Sequence, residues 1–223
     1  MNLNVLCTRL GVDIEPQLLE LALTHRSYSY EHGSIPNNER LEFLGDSVLG
    51  FVVTAHIHDL LTELPEGELT KVKNAVVSAR ALAGVAAKLG LGEFLRLGKG
   101  EEQTGGRGKL NLLADSFEAI LGAVYVSKGL DEARGLVERF VFPLLEDTDA
   151  LRENSDPKTT LQEKIQDQGK AAPVYETTFE GPDHDRDFHA KVLVGEIVIG
   201  VGDGKSRKGA ETEAAINALA NLK

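Results

Sequence analysis

Three carboxylates fall at spacings of three and four within the ten residues Asn38 to Ser47, which read N-E-R-L-E-F-L-G-D-S. Residues so spaced are neighbours on one face of a helix. Glu39, Glu42 and Asp46 therefore form a single acidic stripe, while Leu41, Phe43, Leu44 and Val48 make the remaining surface apolar. Such a helix has to be enclosed by other elements, yet it carries like charges that repel when brought together. An ordinary solvated acidic face is the alternative for this stripe alone. A divalent cation is the other resolution, because hard cations take carboxylate oxygens as ligands.

A second acidic pair, Asp115 and Glu118, lies in N-L-L-A-D-S-F-E-A (residues 111–119), again three apart and again in an apolar run. That run offers no Lys or Arg until Lys128. One such pair alone reads better as helix N-terminal charge complementing the dipole. Two pairs on two apolar helices favour a shared metal site, since buried charges are otherwise paired.

Apolar residues recur at helical spacing over 17–30, 38–61, 69–90 and 110–129, with a further helix near 131–145. The glycine-rich segment 98–108 reads as a surface loop. A polar, acidic stretch from Glu146 to Asp156 marks a boundary, placing an all-α domain at 1–146 and a linker at 147–155. Beyond it the pattern becomes a short helix over 158–168, strands over 174–180, 187–194 and 196–201, and an alanine-rich helix over about 207–222. Glycines 200, 202 and 204 are read as ending the third strand. The resulting fold class is two domains: all-α, then α+β in the order α-β-β-β-α over 156–223.

Composition narrows the setting. The sequence shows no apolar run of eighteen residues and no signal-peptide pattern, so no membrane segment is expected. The single cysteine, Cys7, excludes an internal disulfide and is read as a buried thiol in a reducing cytoplasm. The net charge is −11, divided as −8 over residues 1–155 and −3 over 156–223. Neither part is basic, so a polyanionic partner has to be met by a local cluster and by metal ions. Such a cluster exists: Lys205, Arg207 and Lys208 sit at the start of the last helix, where they oppose the helix dipole and call for an external anion. The six histidines are scattered, and no Ser-His-Asp or Cys-His set is apparent.

The run Asn38–Ser47 resembles the signature of the ribonuclease III family. So does L-A-D-S-F-E-A (residues 113–119), preceded by G-K-G-E-E-Q-T-G-G at 98–106 and by T-H-R-S-Y at 24–28. Residues 156–223 resemble a double-stranded-RNA-binding domain through D-P-K-T-T-L-Q-E, the turn G-P-D-H and G-D-G-K-S-R-K-G-A-E. The resemblance implies an endoribonuclease that hydrolyses duplex RNA with two divalent ions per site (Mg²⁺, with Mn²⁺ able to substitute). Glu42, Asp46, Asp115 and Glu118 would be its ligands, with Asp46 and Glu118 most directly catalytic. Glu39 and Glu66 would support substrate handling. Gln162, Glu163 and His184 would meet successive minor grooves, and Lys205, Arg207 and Lys208 the phosphates. A homodimer is implied, with Phe43 either inserted into the partner subunit or buried in its own core. Products with 5′-phosphate and 3′-hydroxyl ends and short 3′ overhangs are implied, from ribosomal RNA precursors and structured messenger RNAs. His25 is read as holding a helix junction rather than acting as a base.

Overall fold

A computed structural model describes residues 2–147, 156–182 and 186–222. It divides into two compact units, one before and one after the acidic stretch 148–155. That stretch, most of the expected linker, lies outside the described residues, as does His184.

The first unit contains α1 (Leu3–Leu10), α2 (Pro16–Ala22), α3 (Arg26–Glu31), α4 (Glu39–Leu60), α5 (Glu66–Val76), α6 (Ala79–Lys88), α7 (Lys99–Gln103), α8 (Leu110–Lys128) and α9 (Leu130–Phe140), with short 3₁₀ turns between. Its core is built around α4 and α8. α4 buries Leu41, Val48, Leu49, Val52, Val53 and Ile57, and α8 buries Phe117, Ile120, Leu121 and Val124 among others. α8 is long and apolar enough to cross a membrane by length and composition, but most of it is enclosed by the other helices. Its apolar character is that of a core helix.

Two spans expected as single helices are each broken in two. The 17–30 span breaks at Leu23–His25, where the backbone is diverted to residue 96. Arg96 N–H donates to Leu23 O (2.8 Å) and His25 N–H donates to Arg96 O (3.1 Å). His25 then caps α3, its Nδ1 accepting from Ser27 N–H at 3.2 Å, so it does hold the junction. The 69–90 span breaks at Ser78, an extended N-cap whose hydroxyl accepts from Ala81 N–H (3.2 Å). The 98–108 segment, expected as loop, contains α7 and a 3₁₀ turn. Cys7 is half-buried rather than enclosed.

The second unit runs α10 (Pro157–Asp167), β1 (Val174–Glu180), β2 (Asp187–Val194), β3 (Ile197–Gly204) and α11 (Arg207–Asn221). Its antiparallel sheet has the order β1-β2-β3, with Ala190 opposite Gly202 and a register shift at Val192/Leu193. Leu161 and Ile165 of α10 and Ala210, Ala214, Ala218 and Leu219 of α11 close the core over Ala190 and Val192. Of the β3 glycines only Gly204 ends the strand; Gly200 and Gly202 lie inside it. They alternate within the strand and let α11 lie directly against its backbone: a Cβ at Gly200 would come 2.7 Å from Ala218 N, and one at Gly202 2.6 Å from Ala210 O. Gly209 sits in the first turn of α11, where its N–H donates to the Ser206 cap (3.1 Å).

Candidate active site

The acidic residues lie in the first three turns of their helices, Glu42 on α4 and Asp115 and Glu118 on α8. The two helices meet because each has a glycine at the crossing. A Cβ at Gly45 would run into the Glu118 carbonyl, 2.7 Å from its carbon, and one at Gly122 would run into the Leu41 carbonyl. Backbone against backbone, the helices bring carboxylates together that are more than seventy residues apart in sequence. Glu42, Asp115 and Glu118 each offer an oxygen within 4.8 Å of the other two. All three are half-buried. Asp46, one turn beyond Glu42, is exposed and lies outside this threesome, although its charge reaches both Glu118 and Glu42.

The electrostatics of the cluster are those of a cation site. Burial, then repulsion from Asp46, Asp115 and Glu42, pushes the Glu118 carboxyl up to about 8. Burial also raises Glu42, aided by Asp115 and Glu39, and burial raises Asp115. Arg26 at the start of α3 acts in the opposite sense on Glu42 and Asp115, and its guanidinium stands 3.6 Å from Glu39. One exposed arginine cannot neutralise this many carboxylates. Carboxylates crowded and partly desolvated in this way suit hard divalent ions, whose ligands are oxygens.

The remaining expected residues distribute as follows. Glu39 begins α4, exposed, and accepts from the Asn37 side chain (3.1 Å). Glu66 begins α5, exposed, and accepts from the Thr70 hydroxyl (2.9 Å); it is not part of the cluster. Phe43 is 77% exposed, which excludes burial in its own core. Phe51, two turns further along α4, is 57% exposed and was not singled out from sequence. In the second unit Gln162 and Glu163 are exposed on α10, and Arg207 and Lys208 are exposed at the start of α11. Lys205, just before α11, is 2.9 Å from Asp187.

A family model described as Ribonuclease-III-like matches residues 15–145, and one described as a double-stranded RNA binding motif matches residues 157–222. A curated Ribonuclease 3 from Leifsonia xyli subsp. xyli is 54% identical over 219 residues, 98% of this chain and 92% of that protein. One from Streptomyces coelicolor is 51% identical over 215 residues, 96% of this chain and 78% of that protein. Among solved structures, a nuclease domain of ribonuclease III from Campylobacter jejuni superposes with a TM-score of 0.60 at 36% identity, covering 64% of this chain and 97% of that domain.

Proposed function

The chain belongs to the ribonuclease III family, and on that premise we propose that it hydrolyses duplex RNA at the carboxylate cluster with two divalent ions, preferentially Mg²⁺. It is a nuclease with a double-stranded-RNA-binding domain. The observation that carries the proposal is the meeting of Glu42, Asp115 and Glu118 within 4.8 Å on two crossing helices. Asp46, exposed one turn beyond Glu42 on α4, completes the proposed ligand set, and its charge already acts on Glu118.

Glu42, Asp46, Asp115 and Glu118 would hold the divalent ions, which when bound would supply an activated water and neutralise charge developing on the phosphate. The protein's own part is positional. α4 and α8 hold the anionic oxygens in place before substrate arrives, so little reorganisation accompanies the reaction. Arg26 and Glu39 line the approach. His25, kept below its usual range by burial, stays a neutral helix cap at neutral pH.

The second unit supplies duplex recognition through Gln162, Glu163, Lys205, Arg207, Lys208 and His184, reading groove shape rather than sequence. A homodimer with two sites is supported by the exposed apolar residues Phe43 and Phe51 on α4, and the C. jejuni domain is described as having a region involved in dimer formation. Products with 5′-phosphate and 3′-hydroxyl ends and short 3′ overhangs follow from the family mechanism. Precursors of ribosomal RNA and structured messenger RNAs in the cytoplasm are the proposed substrates. The domain limits are proposed as 1–146 and 156–223.

The direct test is incubation of a long end-labelled RNA duplex with enzyme and Mg²⁺, beside the same reaction in EDTA and with single-stranded RNA. Conversion of the duplex alone, only with metal, to short 5′-phosphorylated fragments is expected. A shifted but intact duplex would identify a binding protein instead.

Linkage gives a second test. The native state binds the Glu118 proton more tightly than the unfolded chain does, because its folded value lies near 8 and its ordinary value near 4.5. The stabilisation is complete below about 4.5 and is lost as pH rises toward 8. Burial of His25 works the other way below about 6.5, so the clean window is pH 6.5 to 8. Without metal, the melting temperature should fall across that window by roughly 3 °C, for about 1 kcal/mol after allowing for partial solvent screening. Glu118→Gln should flatten the fall, and saturating Mg²⁺ should reverse most of it. Equal slopes for the wild-type and variant proteins would show that Glu118 titrates normally.

A further inference from the structure

Lys158 lies in the most RNA-like stretch of the first helix of the second unit and would be counted from sequence among its basic contacts. Its surroundings point elsewhere. Its Nζ is 2.6 Å from Glu211 Oε2 and 4.4 Å from the centre of the Tyr175 ring. The other oxygen of Glu211 accepts from the Thr177 hydroxyl at 3.2 Å. One side chain from α10, one from α11 and two from β1 thus converge on a single charge pair. The Glu211 side chain is only 16% exposed and that of Lys158 38%.

We propose that Lys158 and Glu211 are positioning residues, a clamp that fixes the separation of the two RNA-contacting helices rather than touching RNA. The proposal rests on the reading that α10 and the start of α11 carry the duplex contacts. Lys158 is one turn before Gln162 and Glu163 on α10; Glu211 is one turn after Arg207 and Lys208 on α11. The clamp therefore ties the two contact sets at adjacent turns. A-form RNA presents its grooves at a fixed spacing, and a domain that reads shape needs a matching fixed spacing of its own.

The chemistry suits permanence. Hydrogen bonding from Lys158 holds Glu211 below the ordinary carboxylate range, so it stays ionised. Burial beside Glu211 pushes the Tyr175 hydroxyl up to about 12, so Tyr175 stays neutral and serves as a face for the ammonium. Removing either partner of this partly desolvated pair leaves the other without its match on Glu211's shielded side. The Lys205–Asp187 pair is different: both side chains are more than half exposed, so water screens it and a phosphate can displace Asp187.

The experiment uses the full chain and measures kcat and KM on a long RNA duplex, with duplex affinity followed as a function of salt. Lys158→Met keeps the aliphatic stem over Tyr175 and removes only the charge. It should raise KM on the order of tenfold with kcat unchanged, and the slope of log affinity against log salt should not change. Glu211→Gln should give the same loss, and the double variant should lose little more than either single one. A phosphate contact would instead lower the salt slope by about one unit; seeing that for Lys158→Met, or an unchanged KM, would overturn the clamp. If circular dichroism shows Lys158→Met unfolded, Glu211→Gln, which is isosteric, decides alone: higher KM at an unchanged slope supports the clamp, and an unchanged KM or tighter binding refutes it. Lys208→Met serves as the control. If it fails to lower the slope, the contact set is wrong, whatever the clamp variants do.

Discussion

Replacing Glu118 by Gln is expected to lower duplex cleavage by about four orders of magnitude while leaving duplex binding within a few-fold of the wild type. Gln fills the same volume, so α8 keeps its packing between α4 and the core. What disappears is one anionic oxygen from a group whose members lie within 4.8 Å of each other. An amide offers one neutral acceptor and turns two N–H donors toward Glu42 and Asp115, a poor site for a hard cation. Each 1.36 kcal/mol of lost transition-state stabilisation is a factor of ten, so four orders require about 5 kcal/mol, within the range a lost metal can cost. Binding should survive because most of the proposed duplex contacts belong to the other unit, which matches a double-stranded RNA binding motif. Single-turnover cleavage at saturating RNA, with a gel shift in parallel, separates the two effects. A variant that cuts at full rate would remove Glu118 from the metal site.

The carboxylates were legible in the sequence for a local reason. Helical spacing over ten residues, with apolar residues on the other sides, needs no knowledge of the rest of the chain. The helix break at Thr24 was not legible, because it depends on a backbone pairing with Arg96, seventy-two residues away. The break at Ser78 has a local signal, a serine N-cap before a helix former, but the surrounding alanine- and valine-rich run carries the helical period straight across it. The β3 glycines were misread for a related reason. Alternate glycines look like a strand end until a helix of alanines is known to lie against them. Asp46 also illustrates the limit. Spacing alone puts it beside Glu42, but four residues turn a helix by about 400°, so Asp46 is rotated off the Glu42 direction and stays exposed, outside the threesome that Glu42 forms with α8. Phe43 could be settled only by its surroundings, and its exposure leaves the partner-subunit reading in place.

The largest effect on stability should come from a residue with no side chain. Gly45→Ala is expected to destabilise the first unit by about 3 kcal/mol or more and to abolish cleavage, although Ala is the better helix former. At an open helical site the same change stabilises by up to about 1 kcal/mol. Gly84 on α6 is such a site, exposed with nothing within 4 Å of an added Cβ, and Gly84→Ala should raise the melting temperature slightly. At Gly45 the new methyl would meet the Glu118 carbonyl, and the Gly122 N–H at 3.0 Å. These are backbone atoms of a helix packed on its other sides by Phe117, Ile120 and Leu121, and they cannot turn away as a side chain could. The helices must separate instead. Separation opens the core around Leu41 and Val48, and it draws Glu42 away from Asp115 and Glu118, so stability and the cation site fail together. Calorimetry on both variants, with cleavage assayed well below the melting temperature, tests the link. A Gly45→Ala protein as stable as the wild type would mean that the two helices do not cross in backbone contact, and the geometric basis of the site would go with it.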